Sequence, residues 1–387
     1  MMTTDLETLR LLAWAILMLA TVGVGLLEGI SSGGLALLSA VGERRDHGHA
    51  LIRTLAPVAL LHAAWLMLFL ALIFAAWPIA YAVALHSFRC VLLAMLLLLM
   101  LRLPLLYFYR QLPEHWQGHA CKLLAASGLM MAVGFGLLAG NVLKGVPFHL
   151  DSDMRVAFLG DLMTLLNPFA VLVAATVLAL LTMHGASYLA LHTYGGVQLQ
   201  LRALQWRAGI GFAILLVLTG LWISHLEGYH VTSDILTKAA SNPLAKFVKR
   251  SEGLWLDNYE HEPWLAVLPT LAFIACGLVV WLARRGQNYW AMLSSTVCVT
   301  MTSLTFGASL FPFLLPSNIS LNSSLTIWDS SASPIALAVT VCAAGVGLPL
   351  LAILSRWGHT GFAASNWHDG ELDTPPQHPP ISSSTKE

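Results

Sequence analysis

Apolar residues run through this chain in nine long stretches separated by shorter polar segments, near 9–38, 54–76, 79–106, 120–141, 158–190, 205–226, 264–283, 288–314 and 334–355. A bilayer core about 30 Å thick is crossed by about 20 helical residues. Each stretch meets that length, so each is expected to be a membrane-spanning helix. The runs are continuous rather than alternating, which favours helices over a β-barrel. The predicted fold class is therefore all-α, a polytopic transmembrane helix bundle of about nine spans. Residues 1–360 are expected to form one domain. Residues 361–387, with Pro-Pro pairs and Ser382 to Ser384, read as a disordered cytoplasmic tail.

Composition strengthens this reading. The chain is 57% hydrophobic and only 10% charged, whereas a soluble domain carries about 25% charged residues. Its formal net charge is zero, so nothing points to nucleic acid as a partner. Asp5 and Glu7 stand where a cleavable signal has a basic region, so the first run is expected to be retained as a span.

Basic residues in short loops set orientation. With the N-terminus outside, the inner segments hold Arg44, Arg45, Arg53, Arg102, Arg110, Lys122, Arg202, Arg207, Arg284, Arg285 and Arg356, eleven in all. The outer segments hold six, Lys144, Arg155, Lys238, Lys246, Lys249 and Arg250, four of them in one long loop. The N-terminus is thus predicted outside and the C-terminus cytoplasmic. Trp77, Trp116, Trp222, Trp264 and Trp290 near predicted ends fit interfacial belts.

Ionisable residues at membrane depth are costly unless paired or hydrated, so each is a candidate for function. Glu28, within Leu-Leu-Glu-Gly-Ile-Ser-Ser-Gly-Gly, is a proton-accepting candidate among small residues that allow close helix approach; a packing role is the alternative. His62, central in the second span, suits proton relay or a satisfied core position. His86 and Arg89 share a helix face, with structure favoured over an anion site. His184, His192 and His225 lie near expected span ends, where water is available. Haem ligation would need two of these rings to face one cavity, and no CxxCH motif is present. The five cysteines lack ligand spacing and suggest neither a disulfide framework nor structural zinc. GxxxxGK[ST], HExxH and GxSxG are absent, and Gly134, Gly136 and Gly140 read as helix-packing residues.

Several segments are more specific. Gly140-Asn-Val-Leu-Lys-Gly-Val-Pro-Phe148 closes the fourth span, Leu165-Leu-Asn-Pro-Phe169 opens the fifth and Thr182-Met-His-Gly-Ala-Ser-Tyr-Leu189 closes it. Gly228-Tyr-His-Val231, Ala239-Ala-Ser-Asn-Pro-Leu244, Phe311-Pro-Phe-Leu-Leu-Pro-Ser317 and Leu325-Thr-Ile-Trp-Asp329 follow in order. Together they resemble subunit II of the cytochrome bd quinol oxidases, from about Glu28 to the end of the ninth span.

The resemblance implies a quinol:oxygen oxidoreductase of the bacterial inner membrane, with quinol as substrate of the complex. Haems b and d are expected in the partner, subunit I, and no cofactor in this chain. This chain would supply scaffold and part of a proton route. Membrane lipid and a small accessory subunit are further expected partners. Two motifs depart from the family's pattern. Its first-span Asp-Gly-Phe-Asp becomes Glu28-Gly29-Ile30-Ser31, and Leu60 stands where the second span usually has a proton-conducting Asp. Arg102 matches a family arginine, but the acidic residue that usually follows is absent. Either Glu28 and His62 form a rerouted path, subunit I alone carries protons, or coupling has changed. The rival classes are a stand-alone transporter or channel using Glu28, His62 and Arg89, and a haem-binding cytochrome in its own right. Asn167 before Pro168 is expected to cap a helix, and Trp328-Asp329 to anchor the last outer loop.

Overall fold

The computed structural model describes residues 5–41, 45–234 and 236–365. Within them, eight helices are long and apolar enough to cross a membrane, and one bent pair raises the number to nine. The principal helices are α1 (Leu6–Glu28), α2 (Arg45–Leu55), α3 (Ala59–Ala76), α4 (Pro78–Ser87), α5 (Arg89–Phe108), α6 (Glu114–Lys144), α7 (Pro168–His192), α8 (Gly195–Ile223), α9 (Val267–Arg285), α10 (Asn288–Leu310) and α11 (Pro334–Ser365). Leu and Ala dominate several of these runs, and both are strong helix formers. Of the expected tail, 361–387, the first five residues continue α11 to Ser365, and the rest lies outside the described residues.

The spans follow the expected order with local departures. Pro57 supplies no amide proton, and the second span bends by 45° there, between His47–Val58 and Leu61–Ala76. The third expected span, 79–106, is two helices: the backbone leaves the helical region at Phe88, and only the segment from Arg89 has span length. The fifth span begins at Pro168 rather than 158. Asn167 caps it as expected, its side chain accepting from the Ala170 amide at 3.0 Å.

One end of the bundle carries three two-stranded antiparallel hairpins: β1 (Phe148–Leu150) with β2 (Val156–Phe158), β3 (Glu227–Val231) with β4 (Val248–Glu252), and β5 (Phe313–Leu315) with β6 (Leu325–Thr326). Buried Trp255 ties this cap to the spans by donating to the Leu143 carbonyl at 3.0 Å. Tyr229 packs beside Trp255, its hydroxyl pushed up to about 12 by burial. The long loop is therefore an ordered lid over the hairpin end.

Trp77 departs from expectation. It is fully buried, donating to the Ile327 carbonyl at 3.2 Å, rather than lying in an interfacial belt. Trp116, Trp222, Trp264 and Trp290 are exposed, as such a belt requires.

The first span changes neighbours along its length. Up to Glu28, α1 packs on α3, α10 and α11; beyond it the chain packs on α6 and α7. That changeover positions the candidate site.

Candidate functional site

Glu28 closes α1, and the next five residues, Gly29–Gly33, form a π-helical turn before the helix resumes. A π turn admits an extra residue into the helix, and such turns are frequent at functional sites. Small residues let neighbouring backbones close on it. A β-carbon on Gly33 would collide with the Leu181 carbonyl of α7, and one on Gly128 of α6 would lie 2.6 Å from the Ser32 carbonyl.

Into this junction α5 sends Arg102. Its Nη1 donates to Ser31 Oγ at 3.1 Å and lies 3.4 Å from Glu28 Oε2. Its Nη2 donates to Ser32 Oγ at 3.1 Å and to the Ser127 carbonyl at 3.3 Å. Ser32 Oγ donates in turn to Glu28 Oε2, so the serine links the cation to the carboxylate. Glu28 and Arg102 are 2% and 1% exposed. Burying such a pair costs several kcal/mol per ion, offset only when geometry and further hydrogen bonds are good. Here the set is incomplete: Glu28 Oε1 and Arg102 Nε are buried without a hydrogen-bond partner among the described residues. One carboxylate oxygen is held, and the other is open to a proton or a water.

The sequence places Arg102 at the start of a loop; the structure places it inside α5, buried. The signal was present, because Leu103, Leu105 and Leu106 continue the apolar run past it. His184 is likewise not at a wet span end. It is 1% exposed, its Nδ1 is 2.9 Å from Ser295 Oγ, its ring lies against Gly29, and the Leu26 carbonyl is a further hydrogen-bond partner.

His62 is 3% exposed on α3. Trp65, one turn further on, fills the notch at Gly23, and Leu72 lies with Ala13 and Ile16. α3 thus runs antiparallel to α1 and carries His62 to the level just before Glu28. Arg89 does not join this group. It is exposed, 5.9 Å from the Phe158 ring centre, and thirteen residues of α5 separate it from Arg102, about 20 Å along the axis.

A second buried charge cluster lies at the hairpin end, and its centre was not singled out from sequence. Arg10 is fully buried and donates to Ser331 Oγ, Ser241 Oγ and the Thr237 and Ala239 carbonyls at 2.7–3.0 Å. Asp329 pairs with Lys246 at 2.9 Å and accepts from the amide and hydroxyl of Thr326. Lys246 also donates to the Pro243 carbonyl at 2.7 Å. Burial holds the Asp329 carboxyl above its ordinary range and the Lys246 ammonium below its own. The expected loop anchor at Trp328-Asp329 is thus a staple across two loops and α1.

An axial haem ligand needs a free ring nitrogen facing a cavity. His184 has partners for its ring on two sides and is packed against a helix backbone, so it does not fit that role. Among the described residues, no group of three or more His, Cys, Asp or Glu could hold a metal ion.

Residues 9–362 match the model of the cytochrome bd terminal oxidase subunit II family. The chain is 31% identical over 356 residues to cytochrome bd-I ubiquinol oxidase subunit 2 of Escherichia coli, covering 91% of this chain and 94% of that protein. It is 32% identical to the probable cytochrome oxidase subunit 2 of Haemophilus influenzae, over 92% of this chain and 94% of the other. A bd oxidase chain from Geobacillus thermodenitrificans shares the fold, with a TM-score of 0.67 at 18% identity over 90% of this chain and 97% of that one. The chain belongs to the cytochrome bd terminal oxidase subunit II family.

Proposed function

We propose that this chain is the scaffold subunit of a quinol-oxidising, oxygen-reducing complex, and that Glu28 with Arg102 forms a protonatable station within it. Family membership supports the first part. The observation that carries the second is a buried carboxylate with one oxygen bound by Ser32 and Arg102 and the other left open. The fixed guanidinium stabilises the anion, and proton uptake at the open oxygen neutralises it without moving the arginine. Oxygen reduction consumes protons, so the complex needs a route for them. Haems b and d reside in subunit I in this reading, and this chain contributes no cofactor ligand. The N-terminus lies outside, the C-terminus lies in the cytoplasm, and the complex sits in the bacterial inner membrane. A stand-alone transporter built on Glu28, His62 and Arg89 is disfavoured by the separation of Arg89 from the other two.

The test is a reduced-minus-oxidised visible spectrum of the tagged, detergent-purified protein, with a gel of what accompanies it. Haem b and d bands with a second large membrane subunit are expected; a colourless, stable single chain would overturn the complex. Within the complex, Glu28→Gln should slow oxygen consumption by about a hundredfold or more, the range over which a positioned proton-transfer group acts, with haem content intact. Unchanged turnover would reduce Glu28 to packing. His62→Ala should slow turnover less, and Leu60→Asp in that background should restore it if His62 stands in for the missing carboxyl.

A further inference from the structure

The end of the bundle opposite the hairpins carries a positive patch on α8 and α9. The guanidinium carbons of Arg207 and Arg284 lie 5.4 and 4.5 Å from the centre of the same Trp206 ring. One indole is thus shared by a cation from each of the two helices. Arg285 lies 4.1 Å from the Trp281 ring centre. Arg202 braces the intervening turn: it donates to Asn288 Oδ1 at 2.8 Å and to the Gly286 carbonyl at 3.2 Å. Gly286 has φ +75°, and a β-carbon there would lie 2.8 Å from Arg202 Nη1. The turn that presents Arg284 and Arg285 is therefore fixed by a third basic residue.

Among the described residues, no carboxylate forms an ion pair with these charges. The sequence has no Asp or Glu between Asp161 and Glu227, nor between Glu262 and Asp329. α7 through α8, and α9 through α10, are thus free of acidic residues. None of the ion pairs among the described residues involves Arg202, Arg207, Arg284 or Arg285. Two of the four sit at the C-terminus of α9, where cations favour the helix dipole. Arg207 lies well inside α8, so that explanation does not reach it. Below the rings the surface turns apolar: Ile210 and Ile214 on α8 and Leu278 on α9 are exposed.

We propose that this patch binds the headgroup of an anionic phospholipid, its phosphate held between Arg207 and Arg284 and its acyl chains lying along Ile210, Ile214 and Leu278. The planar guanidinium suits bidentate contact with phosphate oxygens. The indole keeps both guanidiniums oriented, and exposed Trp281, Tyr289 and Trp290 mark the level of the headgroups. This site lies apart from the Glu28 cluster and does not depend on the proton reading.

The test is native mass spectrometry of the purified, delipidated complex titrated with phosphatidylglycerol, phosphatidylcholine or inorganic phosphate. Retention of phosphatidylglycerol over phosphatidylcholine is expected. Arg207→Gln with Arg284→Gln should weaken phosphatidylglycerol binding by about tenfold, as loss of two charge-assisted contacts implies. Arg110→Gln, an exposed arginine at the same end, should leave it unchanged. Equal retention of both lipids, or an equal loss in the Arg110 variant, would reduce the patch to a general attraction between basic loops and anionic membrane. Binding of inorganic phosphate as tightly as phosphatidylglycerol would overturn the lipid assignment in favour of a free-anion site, because the acyl chains would then contribute nothing. If the double variant does not assemble, Trp206→Leu carries the test: it keeps every charge and should still weaken binding, and unaltered binding would overturn the site.

Discussion

Two buried carboxylate–cation clusters lie in this molecule, and they are built to different standards. At the hairpin end, Asp329 meets Lys246 and Thr326, while Arg10 reaches two carbonyls and two hydroxyls on the loops above it. In the bundle, Arg102 and Glu28 are more deeply buried than Lys246 and Asp329, yet each keeps a polar atom with no partner among the described residues. A structural staple is expected to be satisfied throughout, because an unmade bond in a buried network costs roughly 1–3 kcal/mol. An incomplete network at greater depth is a place where something is to be taken up. The contrast separates a cluster that holds loops from the one proposed above as a protonatable station.

The comparison can be broken from either side. Removing the cation from the deeper cluster should have the largest effect: Arg102→Leu strands Glu28, and losing one partner of a buried pair costs roughly 3–5 kcal/mol. Thermal unfolding of the complex should show that loss. Adding Glu28→Gln should recover most of the stability but not oxygen consumption; recovery of both would make the cluster structural. Lys246→Met should be milder, about 1–2 kcal/mol, because burial already raises the Asp329 carboxyl and so eases its protonation once the cation is gone. Its signature is faster amide exchange in the β3–β4 loop with unchanged turnover, and slowed turnover would erase the distinction.

Acid offers the finest test. Since burial raises the Asp329 carboxyl, the folded chain takes up that proton at higher pH than the unfolded chain. The associated stabilisation is complete below the ordinary carboxylate range and is lost as pH rises through the raised value. Exchange protection of the β3–β4 loop should therefore increase on mild acidification across that window, and Asp329→Asn should flatten the change. A loop that loosens on mild acidification would contradict the assignment.

Much of the architecture was legible because hydropathy acts locally. The spans, the Asn167 cap and the packing role of Gly136 and Gly140, whose α-hydrogens face the α7 backbone, can each be read from a short window. What could not be read depends on distance along the chain. Glu28 and Arg102 are 74 residues apart, and Arg10 and Ser331 are 321 apart. No window contains both partners, so Arg102 passes for a loop residue and Trp77 for an interfacial one. Glu28 could be flagged because a lone carboxyl at membrane depth must have a reason. Its partner needed the fold.

The π turn after Glu28 also acts as a rotational offset. Each residue of an α-helix advances about 100° around the axis, so the inserted residue re-aims everything from Gly34 onward relative to Leu6–Glu28. That lets one continuous helix present one face to α3, α10 and α11 and a differently oriented face to α6 and α7. Deleting one residue within Gly29–Gly33 would realign the two halves as a plain α-helix. Either Glu28 or the stretch beyond Gly34 would then point at the wrong neighbour, with every hydropathy value along the span almost unchanged. The identity of this span is thus written in its phase as well as its polarity.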